Sequence, residues 1–196
     1  MRHALNLGKR FGIPIVTALP TTTVDGDAVL LKLGVSPFEF ILLHFNSAYG
    51  KWISSASIIA GNGAEAEVTT TTNTTVTGMN FRLINYKYAY DAGLRVQTFV
   101  SGRYRNSSTG SAKLHVEMLG GTHNVSAITS LGTTTGVTSP SNNATTFFEA
   151  MGGWEDFSAS DPGADTHVLL RMIITAITNG TAGVTQRAIG MRYVSA

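Results

Sequence analysis

The sequence predicts an all-β chain: an antiparallel β-sandwich of jelly-roll type, preceded by an N-terminal arm and a small three-stranded β-meander. Three observations lead there. Only 13% of the 196 residues are charged while 43% are hydrophobic, and Thr, Ser, Asn and 21 Gly make up the difference. β-Branched and small polar residues are weak helix formers but suit pleated strands joined by tight turns. Strand-length patterned runs recur at short intervals over the C-terminal two-thirds, each bounded by Gly, Asn or Pro, while amphipathic-helix periodicity and coiled-coil heptads are missing.

Residues 1–19 carry little periodicity, and Pro14 and Pro20 oppose a helix, so this segment is expected to be an arm or a first edge strand. Residues 24–60 form the meander. The Asp25-Gly26 pair signals a turn, because Gly supplies the positive φ that a tight turn needs. A short apolar strand over 28–33, a bulky one over 38–45 and a third beginning at Lys51-Trp52 follow, separated by Gly34–Pro37 and Asn46–Gly50. Gly61-Asn62-Gly63 is a strong break, which divides the chain into an anchoring and assembly module, 1–61, and a sandwich domain, 62–196. Eight strands are expected in the second part, at 65–77, 80–90, 93–104, 112–119, 125–131, 145–151, 165–177 and 186–194. That number in a chain segment of this length suits a two-sheet jelly roll better than a barrel. The loops at 132–143 and 158–165 are expected to be exposed.

Composition also narrows function. With no cysteine, disulfides, thiolate metal sites and cysteine nucleophiles are ruled out. The net charge of +2 is spread along the chain, and Arg103, Arg105 and Lys113 are the nearest thing to a basic cluster, so no nucleic-acid partner is expected. No apolar run approaches the ~18 residues of a membrane span, and the N-terminus lacks the apolar core of a signal peptide. The chain is therefore expected to be made soluble. A surface so poor in charge suggests cover by other subunits.

Candidate chemistry is sparse. Metal-helix, nucleophile-elbow and phosphate-loop motifs are missing, so neither catalysis nor a cofactor is expected. His115 and Glu117 share a strand face, which seeds a metal pair or is simply a solvated face. Glu155, Asp156, Asp161 and Asp165 surround a Pro-Gly turn and suit either calcium or a turn in which Asp bonds its own backbone. Tyr86, Tyr88 and Tyr90 alternate, with Arg82 on the same parity, so a strand would put three rings on one face. Exposed, they make a stacking platform for a sugar or a partner; buried, they are core or subunit interface. Trp154, after Gly152-Gly153, carries the same two readings. The five Asn-x-Ser/Thr sequons, at Asn73, Asn106, Asn124, Asn143 and Asn179, are read as the product of composition.

One stretch carries a family likeness. Leu19-Pro20, then Val24-Asp25-Gly26-Asp27, and later Ser47-Ala48-Tyr49-Gly50-Lys51-Trp52, resemble a small β-module of tailed-bacteriophage virion proteins. The usual Trp of the middle strand is absent, with Phe40 or His44 in its place, and Ser54-Ser55 replaces the usual Gly-Gly. The C-terminal strands are similar to the jelly-roll heads of phage fibres, spikes and decoration proteins. The resemblance implies a virion structural protein, commonly trimeric, located on the particle and partnered by other virion proteins. It makes Asp25, Gly26, Tyr49, Lys51 and Trp52 an anchoring module of structural residues. The alternative is a receptor-binding tip that attaches to a host-surface glycan, with Tyr86, Tyr88, Tyr90 and Trp154 as its contacts. A glycan-degrading enzyme is the third reading, resting only on the acids near Asp161.

Overall fold

Turn chemistry sets the meander. The computed structural model describes residues 12–34, 39–61, 66–69, 74–106, 112–121, 129–138, 148–157, 161–163, 167–176 and 181–196. Strands β2 (Ala28–Lys32), β3 (Phe40–Asn46) and β4 (Lys51–Ser54) pair antiparallel in sequence order. β1 (Ile15–Val16) lies parallel to β2 at the sheet edge, where the Leu30 amide also donates to the Pro14 carbonyl. Gly26 adopts φ +85°, and its amide donates to the Phe45 carbonyl, while the Asp25 carboxylate accepts the Ser47 amide at 2.8 Å. The two turns are thus tied to one another across the meander.

Among the described residues, the sandwich that follows has eight strand positions. The first is filled by β5 (Ser57–Gly61) and β6 (Ala66–Thr69), which lie end to end along the last strand. Then come β7 (Thr74–Leu83), β8 (Leu94–Asn106), β9 (Ala112–Gly121), β10 (Thr129–Thr133) with its continuation β11 (Val137–Thr138), and β12 (Phe148–Met151). β13 (Glu155–Asp156), β14 (His167–Ala176) and β15 (Thr181–Ser195) complete the chain. Counting positions one to eight, the sheets run one-eight-three-six and two-seven-four-five. That order of antiparallel strands is the two-Greek-key weave of a jelly roll. The expected fold class is therefore the observed one, and β4 joins the larger sheet through the pair Ile53 and Val194.

Alternation along the strands supplies the core. Leu114, Val116 and Met118 of β9, with Leu170, Met172 and Ile174 of β14, face Val96 and Val100 of β8 and Val184 and Ile189 of β15. Val29, Leu31 and Leu43 of the meander belong to the same cluster. β9 and β14 pair without a break over ten positions, whereas β15 bulges against β8 between Thr185 and Ala188, with Gln186 at φ 44°.

The expected strand over 80–90 is corrected. β7 ends at Leu83, Asn85 turns the backbone at φ 60°, and Tyr86–Asp91 form a short helix, α1. Left-handed backbone at Asn85 ends the extended run, a conformation Asn tolerates better than most residues. The helix then buries Tyr86 and Ala89, three residues apart on one face, against the core. Two boundaries also move. The Thr-rich segment is divided between β6 and β7, and the last strand begins at Thr181, five residues before the expected start. Residues 1–11, 35–38, 62–65, 70–73, 107–111, 122–128, 139–147, 158–160, 164–166 and 177–180 lie outside the described residues. They include most of the arm, Gly63, Asp165 and parts of the expected loops.

Candidate functional site

The outer face of the larger sheet carries a group of partly exposed polar and aromatic side chains. Leu94, Val96, Thr98 and Val100 of β8 point into the sandwich, so Arg95, Gln97 and Phe99 point away from it. On β15 the same parity puts Gly190 beside Phe99 and Arg192 beside Gln97. Gly190 is needed here. A Cβ at this position would fall 2.0 Å from the Phe99 ring, which instead lies over bare backbone.

Trp154 reaches this face from the edge. β12 leaves β8 after Met151, Gly152-Gly153 carries the chain on, and β13 rejoins β8 with Asp156 opposite Gln97. The indole meets Phe99 edge-on, with ring centres 4.9 Å apart and planes at 84°. The Arg192 guanidinium lies 4.3 Å from the centre of the Trp154 ring and 5.8 Å from that of Tyr49. Its Nε donates to the Gln97 side-chain oxygen at 2.9 Å. Burial lowers the Arg192 pKa, and Tyr49 and Asp156 pull against that shift. Even lowered, an arginine stays charged at neutral pH. Asp156 is exposed, and its carboxylate lies near enough to act on the charge of Arg192.

An apolar band adjoins this cluster. Ile58, 60% exposed, pairs with Gly190, and Ala60 pairs with Ala188, so two successive cross-strand rows with Phe99 and Ser101 carry no charge. Leu42 and Tyr49 are also exposed large side chains, Tyr49 at 65%. Beside the cluster, Lys51, Arg95, Asp156, Phe157 and Ala196 line a cleft of about 260 Å³.

The structure therefore divides the sequence candidates. Trp154 stands on an exposed face together with Tyr49. Tyr86, Tyr88 and Tyr90 do not form a platform there: Tyr86 is fully buried and the other two pack half-buried against the core. The cause is the helix, whose period of 3.6 places Tyr86 and Tyr90 together, with ring centres 6.3 Å apart, in place of three rings in a row. The Arg95 guanidinium covers the Tyr90 ring at 3.7 Å. Of the motif residues, Asp25 and Gly26 hold the turn described above. Trp52 is buried, its Nε1 donating to the Pro20 carbonyl at 3.3 Å and its ring edge-on to Phe45. Lys51 is half-buried. Sequence reasoning missed Arg192, Gln97, Phe99 and Ile58; the usable signal was Gly190 inside a strand, a mark of close approach by another group.

Two of the acids near the Pro-Gly turn cap backbone amides. Asp161 accepts the Gly163 amide at 2.8 Å, and Glu155 accepts the Gly136 amide at 2.9 Å. Among the described residues no group of three or more His, Asp or Glu is placed to hold a metal. His115 and Glu117 do share a face of β9, but Glu117 takes both Nε and Nη2 of Arg171, at 2.9 and 2.8 Å. His115 is only 4% exposed, and its Nδ1 has no hydrogen-bond partner among the described residues.

Burial, reinforced by Lys113 and only partly offset by Glu117, pulls the His115 pKa from 6.5 to about 4. The unfolded chain takes up this proton as pH falls below about 6.5, while the folded chain resists until about pH 4. Stability is therefore fully present above pH 6.5 and is lost through that window, by up to about 3 kcal/mol. Thermal melts from pH 7 to pH 4 should fall less for His115→Gln than for the parent chain. Parallel curves would contradict this.

No protein-family model matches the chain, and no curated protein matches it. Solved structures give distant likenesses. One is the VP2 subviral particle of infectious bursal disease virus, at 14% identity and a TM-score of 0.35, covering 90% of this chain and 45% of that one. Another is the T13 particle of the same virus, at 13% identity and a TM-score of 0.32, covering 90% and 43%. A third is a carbohydrate-binding module of the β-sandwich superfamily, at 11% identity and a TM-score of 0.25, covering 67% and 55%. The chain spans less than half the length of the capsid proteins it aligns with. Identities and scores this low leave the functional reading to the chain's own residues. No helix among the described residues is long and apolar enough to cross a membrane.

Proposed function

We propose that this chain is a structural protein of a virion surface, working by assembly with copies of itself and with other virion proteins rather than by catalysis. The tailed-phage resemblance of the segment from Leu19 to Trp52 supports the particle, and a trimer is the assembly that resemblance implies. The observation that carries the reading is the outer face of the larger sheet. Ile58, Ala60, Ala188 and Phe99 make an uncharged band there, Tyr49 and Trp154 flank it, and Ile58 and Tyr49 are well exposed. Contiguous apolar surface rimmed by polar groups is a mark of an association site. Jelly rolls also serve capsids and lectins alike, so the fold accommodates this role without selecting it.

Light scattering over a wide dilution range tests the proposal. The expected mass is a multiple of the 20.8 kDa chain, and Ile58→Lys, which puts a charge in the centre of the band, is expected to shift the particles to one chain. A single-chain mass at every concentration would count against assembly.

A second reading, a receptor-binding tip, is favoured by one specific observation. Trp154 and Tyr49 flank an arginine that already holds a glutamine, with an exposed carboxylate one strand further on.

A further inference from the structure

We infer that the row Asp156, Gln97 and Arg192, with Tyr49 and Trp154 beside it, is a binding site for a neutral hexose-type sugar unit. The inference rests on the receptor-binding reading and assigns it residues. It moves the glycan contacts away from Tyr86, Tyr88 and Tyr90, which the core consumes.

The geometry supplies the chemistry. β13, β8 and β15 are adjacent, so Asp156 faces Gln97 and Gln97 faces Arg192 in one line across three strands. Arg192 is held before any ligand arrives, by its stack on Trp154 at 4.3 Å and by its Nε bond to Gln97. That leaves the two terminal nitrogens of the guanidinium as donors, the Gln97 amide nitrogen as a further donor and the Asp156 carboxylate as acceptor. Donors from Arg192 and Gln97 and the acceptor from Asp156 thus lie side by side across three adjacent strands, and a sugar offers them hydroxyls, each of which both donates and accepts.

Charge narrows the class. Arg192 makes one end of the row positive; at the other, Lys51 and Arg95 line the cleft beside Asp156, Arg95 being held by the Tyr90 and Leu94 carbonyls and the Tyr90 ring, so an anionic sugar that gains at Arg192 still meets the Asp156 carboxylate, and a cationic ligand meets the reverse penalty. A neutral polyol satisfies both ends. The apolar face of the ring has Tyr49 beside it, exposed by 65% and 5.8 Å from the guanidinium. Aromatic rings with an apolar face and a polar rim suit that packing.

The test is a glycan array carrying neutral hexose and N-acetylhexosamine oligosaccharides alongside sialylated and uronic-acid ones, followed by titration of the best neutral oligosaccharide. The whole chain is used. Binding to neutral members is expected. Tyr49→Ala and Asp156→Ala, both at exposed positions, should each weaken it about tenfold or more, with melting temperature and native mass unchanged. Tyr86→Phe, as a control in the core, should leave affinity alone. Absence of binding to every neutral glycan overturns the site, as does preference for the acidic glycans, or affinity indifferent to Tyr49 and Asp156. The assembly reading is judged separately, by mass, and so stands or falls without this result.

Discussion

Gly136→Ala is expected to destabilise the fold by about 3 kcal/mol or more, the sum of backbone strain and a backbone clash. Gly136 has φ +69°, where an L side chain costs about 1–2 kcal/mol. The larger effect is steric. A Cβ there would lie 2.2 Å from the Leu114 carbonyl oxygen and 2.5 Å from the His115 Cβ, both fixed by β9 in the centre of the smaller sheet. Backbone in a paired strand cannot step aside as a long side chain can. The displacement would also pull on the Gly136 amide, which donates to Glu155 of the opposite sheet. Gly163 is the control. It has φ +59° but open space around its Cβ position, so Gly163→Ala should show the strain alone. Chemical denaturation of the two variants gives the comparison, and equal losses would mean that the contact at Gly136 is wrongly described.

Tyr86→Ala is the second large effect, at about 3–5 kcal/mol for an aromatic side chain removed from a closed core. Its ring is fully buried, stacked on Tyr193 at 6.4 Å with planes at 19°, and edge-on to Tyr90. Removing it also detaches α1, because Tyr86 and Ala89 are the side chains that the helix buries. Tyr88→Ala should cost clearly less, since Tyr88 is only half-buried. If these tyrosines instead formed an exposed platform, the two substitutions would have similar, small effects on melting.

The contrast between Tyr86 and Trp154 explains what could be read in the sequence. The sandwich was readable because it depends on period-two burial and turn residues, both local signals. The unbroken ladder of β9 with β14 and the Asp25-Gly26 turn follow from them. The helix at Tyr86 was not, because Tyr-x-Tyr-x-Tyr satisfies a strand pattern equally well. Only the left-handed turn at Asn85 and the pocket that receives Tyr86, both tertiary facts, decide between the periods. The site was only partly readable for a related reason. Trp154 and Tyr49 stand out as aromatics, but they lie a hundred residues apart in sequence, and what joins them is Arg192, an unremarked residue on the last strand. Cross-strand register brings Arg192 to Gln97 and Gln97 to Asp156, and register is set by the whole sheet.

On the proposed reading, the outer face of the larger sheet is the working surface of the molecule. Oxidative side-chain footprinting at Phe99, in the same cross-strand row as Ile58, is the sharpest test, with the parent chain at assembling concentration set against Ile58→Lys. Protection of Phe99 in the parent, released in the variant, with Tyr49 and Trp154 at the flank labelled in both, is the predicted result. Equal labelling of Phe99 in both, with the parent assembled, would put the interface on another face.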